Sequence, residues 1–340
     1  ANYPQLDDCS GVWTLKEVND AVMGGYWRNA GSIGLVVTGS SGSSNVDKLT
    51  IASTGNGASF GNLTTARRGT SGMSSFVRGV FGGDQGDTTV IDYCNFSSEG
   101  NFADFGDLTE AVGCLGGQAS NSTRGIKGGG DTGPSNTNII DYITIAATGN
   151  AVDFGDLSVA RHGANSSNAT RALFQGGADP GLSNVIDFVE IATTGNAADF
   201  GDLVAANRSG CGGVTSSTRA LHMGGVDPAE TNKIQFITIA SQGNATDYGD
   251  LVNAIQNNAP VTNTVRAISC GGQGGPSNFA TIDFFNIATG GTATDFGDLT
   301  ESSEASGTSN AHGGLTDGYQ GTRIAPIPRG LGAGQRGIFA

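Results

Sequence analysis

The residues best suited to metal binding or nucleophilic chemistry are three histidines, His162, His222 and His312, and five cysteines, Cys9, Cys94, Cys114, Cys211 and Cys270. They are scattered. No CxxC pair, HExxH helix or GxSxG turn brings two of them to the spacing that a zinc site or an activated nucleophile needs. The cysteines are expected to be free thiols packed as small hydrophobes, with no disulfide framework, and the histidines to be strand or turn residues. The carboxylates and arginines do show spacing, but it is periodic. Arg78, Arg124, Arg171, Arg219 and Arg266 form one series. Asp107, Asp156, Asp202, Asp250 and Asp298 form a second, and Asp92, Asp141, Asp187 and Asp283 a third. A glycan hydrolase would need one distinct carboxylate pair, and none stands out from the series. The periodic reading is structural: arginines pairing with carboxylates, and aspartates closing turns onto backbone N–H groups. The rival reading is an ion per repeat, calcium at the Gly-Asp turns, although no DxDxDG loop is present.

Something must repeat to place these residues, and it is visible in the chain. FGNL ends at Leu63, FGDL recurs ending at Leu108, Leu157, Leu203 and Leu299, and YGDL ends at Leu251, at steps of 45 to 49 residues. Within each unit an apolar segment stops at a diglycine: Gly82-Gly83, Gly128-Gly129, Gly176-Gly177, Gly224-Gly225 or Gly271-Gly272. None of these precedes a GK[ST] sequence, so a phosphate-cradling loop is not expected. A segment with an acidic residue among apolar ones follows, then a TGN turn, then the FGDL phrase. With a small-residue segment ahead of the diglycine strand, each unit supplies four short strands, the plan of a propeller blade.

The pattern resembles the kelch repeat, with Phe60, Phe105, Phe154, Phe200, Tyr248 and Phe296 where kelch units usually carry Trp. The resemblance runs over roughly residues 33 to 315 and implies an all-β, six-bladed kelch-like β-propeller. The first unit begins at residues 32–39 with the diglycine-type strand and lacks its innermost strand. Residues 300–314 match that missing strand and are expected to close the ring. A seven-bladed ring is the runner-up, should residues 1–32 form a cryptic blade. The expected organisation is an N-terminal attachment segment at 1–32, the propeller at 33–317 and an extended arm at 318–340.

Composition narrows the function. With 31 acidic and 17 basic residues the formal charge is −14, against the basic footprint of a nucleic-acid binder. No apolar run is long enough to span a membrane. The start, ANYPQLDDCSG, has neither a positive nor an apolar leader region, so no signal peptide is expected. The 57 glycines among 340 residues come with only 8 prolines and no Gly-X-Y period, which excludes collagen-like structure.

The ends and loops hold the candidate interaction residues. Thr14 and Glu17 form a capping box ahead of Leu15, Val18, Ala21 and Val22 on one helical face. Trp13, Leu15, Val18, Val22, Tyr26 and Trp27 must be buried, against either the ring itself or a partner subunit. Arg323, Arg329 and Arg336 make the tail a basic arm on an acidic body, suited to an acidic neighbour. The loops after the diglycines, carrying Asp84, Asp131, Asp179, Asp227 and Gln273, vary most and share one face, the usual place for recognition.

The phrase GVWTLKEVNDAVMGGYW, with the repeats TIASTGNGASFGNLT and FITIASQGNATDYGDLV, is similar to tailed-phage structural and fibre-like proteins. That resemblance implies a non-enzymatic virion protein without cofactor: a tail-fibre, tail-tip or head-decoration component. Its partners would be capsid, portal or tail subunits, and its exposed face would meet host-surface glycans. A secreted or cell-surface lectin-like bacterial propeller is the alternative, and a propeller glycan hydrolase the second.

Overall fold

The computed structural model of the chain describes residues 33–38, 43–86, 88–113, 119–133, 135–178, 181–208 and 211–315. They form a six-bladed, all-β propeller. Short strands follow from the composition: small and β-branched residues broken up by frequent glycine cannot sustain helices but suit pleated ribbons, and the two inner strands of each blade are buried along most of their length.

Blade 1 takes strands from both ends of the described chain. From axis to rim they are Ser306–Ser309, Ile33–Val37, Asn45–Thr50 and Ala58–Asn62. Blade 2 is Ser71–Ser74, Arg78–Gly82, Thr88–Asn95 and Ala103–Val112. In blade 3 Arg124–Asp131, Asn136–Thr144 and Val152–Asp156 form the sheet, and Ser120 bridges Gly125 on the axial side. Blade 4 is His162–Ser167, Arg171–Ala178, Leu182–Glu190 and Ala198–Asp202. Blade 5 is Cys211–Thr215, Arg219–Met223, Lys233–Thr238 and Thr246–Asp250. Blade 6 is Ala259–Thr262, Arg266–Cys270, Thr281–Asn286 and Thr294–Asp298.

The expected closure is present: Gly34 pairs Ser309 and Val37 pairs Ser306, antiparallel. With blade 1 joined to blades 2 and 6 the six units complete the circle. The segment 1–32, where a seventh blade or a helix was expected, lies outside the described residues, as does the arm.

The core is six separate apolar clusters, one in each seam between adjacent blades. No blade can bury its own faces, so stability is a property of neighbour contacts. In blades 2, 3, 4 and 6 the FGDL aromatic stands edge-on to the aromatic of the strand beside it, as in Tyr142–Phe154 with ring centres 5.8 Å apart.

Each seam is also stitched by backbone. The TGN turn of one blade donates to the outer strand of the blade before it: Gly195 N to Phe154 O and Ala197 N to Asp156 O, both 2.8 Å. The Asn196 Oδ1 accepts from Asp156 N at 3.2 Å. This contact explains the glycine of FGD. A Cβ on Gly155 would lie 2.4 Å from the Gly195 carbonyl oxygen, and its φ is +149°.

The diglycine series needs a shift of register in two blades. The left-handed residue is Gly83 in blade 2, Gly224 in blade 5 and Gly271 in blade 6, just past the strand, and Gly129 in blade 3 and Gly176 in blade 4, where the strand's register shifts. Gly82 and Gly128 are strand residues. Gly128 is small because the Phe174 ring of blade 4 occupies the space of a Cβ, 2.3 Å away.

Candidate functional site

The repeated charged residues come first, because the structure accounts for them. Each arginine of the series lies over an aromatic ring of its own blade and donates to a backbone carbonyl of the next. Arg124 lies 4.8 Å from the Tyr142 ring centre, with Nη1 2.8 Å from Ile191 O. Arg78, Arg171, Arg219 and Arg266 repeat this with Ile145, Ile239, Ile287 and Ile51. The expectation of arginine–carboxylate pairing is therefore corrected: among these five only Arg171 has an ion pair, to Glu190 at 2.8 Å. A guanidinium suits this place because it stacks and donates in plane at once.

The aspartates of the inner series are buried and reach back across the seam. Asp141 accepts from Thr109 N (3.1 Å) and Thr109 Oγ1 (2.6 Å), and Asp92, Asp187 and Asp47 hold Thr64, Ser158 and Thr300 likewise. Arg67 and Arg161 add buried ion pairs to Asp92 and Asp187. Asp283 differs: it accepts from Val252 N, Val252 carries no hydroxyl, and burial pushes the carboxyl up to about 6. In blade 5 Gln235 takes the aspartate's place and accepts from Val204 N at 2.7 Å.

Two faces remain, and an axis between them. On one face the post-diglycine loops meet the loops that lead into the innermost strands, through bridges such as Gly113–Asp131, Arg208–Val226 and Gln256–Gln273. Asp84 accepts from Arg68 N and Asp131 from Gly133 N, each 2.9 Å, so these carboxylates brace turns. Asp227 is exposed, its N–H donating to Ala229 O. Gln273 lies in a two-residue hairpin strand beside Gln256. Asp179 lies outside the described residues.

Near the axis on this face Ser71, Gly128, Gly129, Gly130, His162, Gly163 and Asn165 line a narrow cleft with no room for a water-sized sphere. Ser71 Oγ and Asn165 Oδ1 are buried without a hydrogen-bond partner. So are Thr70 Oγ1, Asn258 Oδ1, Ser306 Oγ and Thr308 Oγ1 on or beside the innermost strands. Buried polar atoms in this state call for water or a small polar ligand. The axis is narrow: a Cβ on Gly72 would lie 2.2 Å from Gly307 O, and one on Gly307 2.3 Å from Pro260 O.

The opposite end of the axis is stoppered by residues that sequence reasoning assigned no such role. After the closing strand the chain turns inward through His312 and a single 3-10 turn, Gly313–Leu315, all buried. Gly313 N donates to Thr215 Oγ1 at 3.0 Å, and a Cβ on Gly314 would lie 1.8 Å from Ser120 O. His312 Nε2 lies 3.1 Å from Ser120 Oγ, a distance suited to a serine nucleophile and its base. The polarity is opposite. Gly314 N donates to His312 Nδ1 at 3.1 Å, so Nδ1 carries no proton and Nε2 is the donor to the serine. Ser120 Oγ also accepts from Ser74 N at 3.0 Å. The pair is a peg in a socket, and burial holds the imidazole down to about 3.

His222 sits mid-strand in blade 5, fully buried, with neither ring nitrogen bonded and its pKa lowered to about 4 by desolvation. His162 Nδ1 meets Asn136 Oδ1 at 2.9 Å. Cys94 and Cys270 are free, buried thiols, and burial raises Cys94 to about 12. Cys9 and Cys114 lie outside the described residues. Among the described residues no group of three His, Cys, Asp or Glu could hold a metal ion, and no helix is long and apolar enough to cross a membrane. The attachment residues Trp13, Leu15, Val18, Val22, Tyr26, Trp27, Arg323, Arg329 and Arg336 all lie outside the described residues. No protein-family model matches the chain, and no curated protein matches it in sequence.

Proposed function

We propose that the chain is a non-enzymatic virion structural protein, a kelch-like propeller displayed on a tailed-phage particle. The observation that carries the reading is the placement of the ring's two connections. Ile33 N donates to Asn310 Oδ1 and Asn310 N to Ile33 O, both 3.1 Å. Whatever precedes and follows the ring therefore joins it at one face, and the variable loops occupy the other. Such a disc can be held from behind by capsid, portal or tail subunits while the loop face, with its cleft, meets host-surface glycans. The sequence phrases shared with tailed-phage fibre-like proteins support the same reading. So does the chemistry of the repeated arginines and of the buried aspartates Asp47, Asp92, Asp141 and Asp187, which is consumed in holding blades together.

Mass spectrometry of density-purified particles from a producing culture tests it. The chain should co-purify with capsid and tail proteins in fixed proportion. Its absence from particles, with glycan binding by the secreted chain, would turn the reading to a lectin-like propeller.

A further inference from the structure

The six blades repeat closely enough that a departure from the repeat is informative, and the departures gather at one place. In five seams an arginine joins a blade to the next. In the seam between blades 1 and 2, Ile33 stands in the arginine's position, Lys48 in that of its aromatic partner, and Phe96 in that of the isoleucine whose carbonyl would accept. Ile33 packs instead against a cluster containing Phe81, Phe96 and Phe102.

The turn that precedes the second strand departs in the same neighbourhood. In blades 3, 4 and 5 it reads Ser122-Thr123, Ala169-Thr170 and Ser217-Thr218. In blade 2 it reads Phe76-Val77, exposed by 48% and 61%, and in blade 6 it ends in Val265, exposed by 42%. Blades 2 and 6 are the two that flank blade 1, so these side chains stand on either side of the point where the chain reaches Ile33. Phe96 of that cluster donates its N–H to the Val77 carbonyl at 2.9 Å, as Ile287 does to Val265, which places each exposed valine beside the seam-side end of its blade's third strand. Among the described turns that precede a second strand, exposed large apolar side chains occur in these two blades, beside the point where that segment joins the ring.

We propose that Phe76, Val77 and Val265 are the docking surface for residues 13–27 of the same chain, engaged through Trp13, Tyr26, Trp27 and the Leu15/Val18/Val22 stripe. Five residues, Arg28 to Ser32, separate Trp27 from Ile33, a reach of about 20 Å when extended. So short a tether gives an effective concentration on the order of millimolar, ahead of a second copy in free solution. The proposal does not depend on the virion reading.

The test uses intrinsic fluorescence, because both tryptophans of the chain, Trp13 and Trp27, belong to the proposed occupant. The whole chain should show blue-shifted emission, shielded from acrylamide and unchanged on dilution. The triple variant Phe76→Ser, Val77→Thr, Val265→Thr installs residues that other blades carry at exposed positions. Its emission should move to the wavelength of solvated indole with the far-UV spectrum unchanged. Should the triple variant not fold, Phe76→Ser alone should give part of the same shift. Unchanged emission in a folded variant overturns the proposal, as does solvated emission in the unaltered chain. A blue shift lost on dilution also overturns it, naming a second copy as the occupant.

Discussion

Asp283 accepts a hydrogen bond from the backbone of Val252, at the place where Asp92, Asp141, Asp187 and Asp47 each also receive a hydroxyl. Its carboxyl is buried and shifted up to about 6, with desolvation as the first cause. The folded state thus binds a proton more tightly than the unfolded chain, whose carboxyl titrates near 3.8. The stability linked to that proton is full below the unfolded value and lost as pH rises through about 6. Val252→Thr supplies the missing donor from a half-exposed position. The variant should lower the Asp283 pKa, read by NMR titration, and raise the melting temperature at pH 7.5 more than at pH 4.5.

The two buried histidines act in the opposite sense. His222 is lowered to about 4 and His312 to about 3, against 6.5 in the unfolded chain. The unfolded state binds more protons below 6.5, so their contribution is present above that value and falls as the pH drops towards 4. For His222 the loss amounts to about 3 kcal/mol once the pH is below its folded value. His222→Leu should move the midpoint of acid unfolding to lower pH, followed by tyrosine and tryptophan fluorescence.

Gly155→Ala should be among the most damaging single-methyl changes. It places a Cβ against the Gly195 carbonyl at a φ of +149° and disturbs the two 2.8 Å bonds that join blade 4 to blade 3. A loss of about 3 kcal/mol or more is expected from the strain and the lost bonds together, measured by urea unfolding. Gly195→Ala meets no atom within 4 Å at its Cβ and tests φ alone, at +158°.

Arg124→Ala should cost about 1–2 kcal/mol through the lost stacking on Tyr142 and the charge-assisted bond to Ile191 O. Arg124→Lys should recover only part of it, because an ammonium cannot lie flat on the ring and donate in plane together. Thermal melts of the two variants against the parent chain check the order.

His312→Ala removes the peg and leaves Ser120 Oγ without its imidazole donor. A loss of about 2–4 kcal/mol is expected from the cavity and the lost imidazole bond together, Ser120 Oγ keeping its bond from Ser74 N. His312→Gln keeps a donor near the same place and should retain more of the stability in the same denaturation series.

Most of the ring was legible in the sequence because its signals repeat. FGDL and its variants FGNL and YGDL announced the outer strand six times, and residues 300–314 matched the missing strand of the first unit. The direction in which the repeated side chains point was not legible. Asp141 looks the same in sequence whether it closes its own turn or clasps Thr109 of the preceding blade, since periodicity identifies equivalent positions and not their partners. The diglycine misled because Gly82 and Gly128 stand one place ahead of the left-handed glycine, and at Gly128 the Phe174 ring of the next blade leaves no room for a Cβ. The stopper at His312 occurs once and has no periodic signature. The cleft at Ser71 and Asn165 is assembled from three blades, and only the folded ring brings those residues together.

The mutual hydrogen bonds of Ile33 and Asn310 have a topological meaning. They make the described ring a circle cut inside blade 1, with the cut ends adjacent in space. A gene that opened the circle in another blade, for example within the exposed turn at Ala169, and joined the old ends through a short linker would encode the same set of neighbours. In this sense the order of the blades belongs to the protein, and the choice of the first blade belongs only to the reading frame.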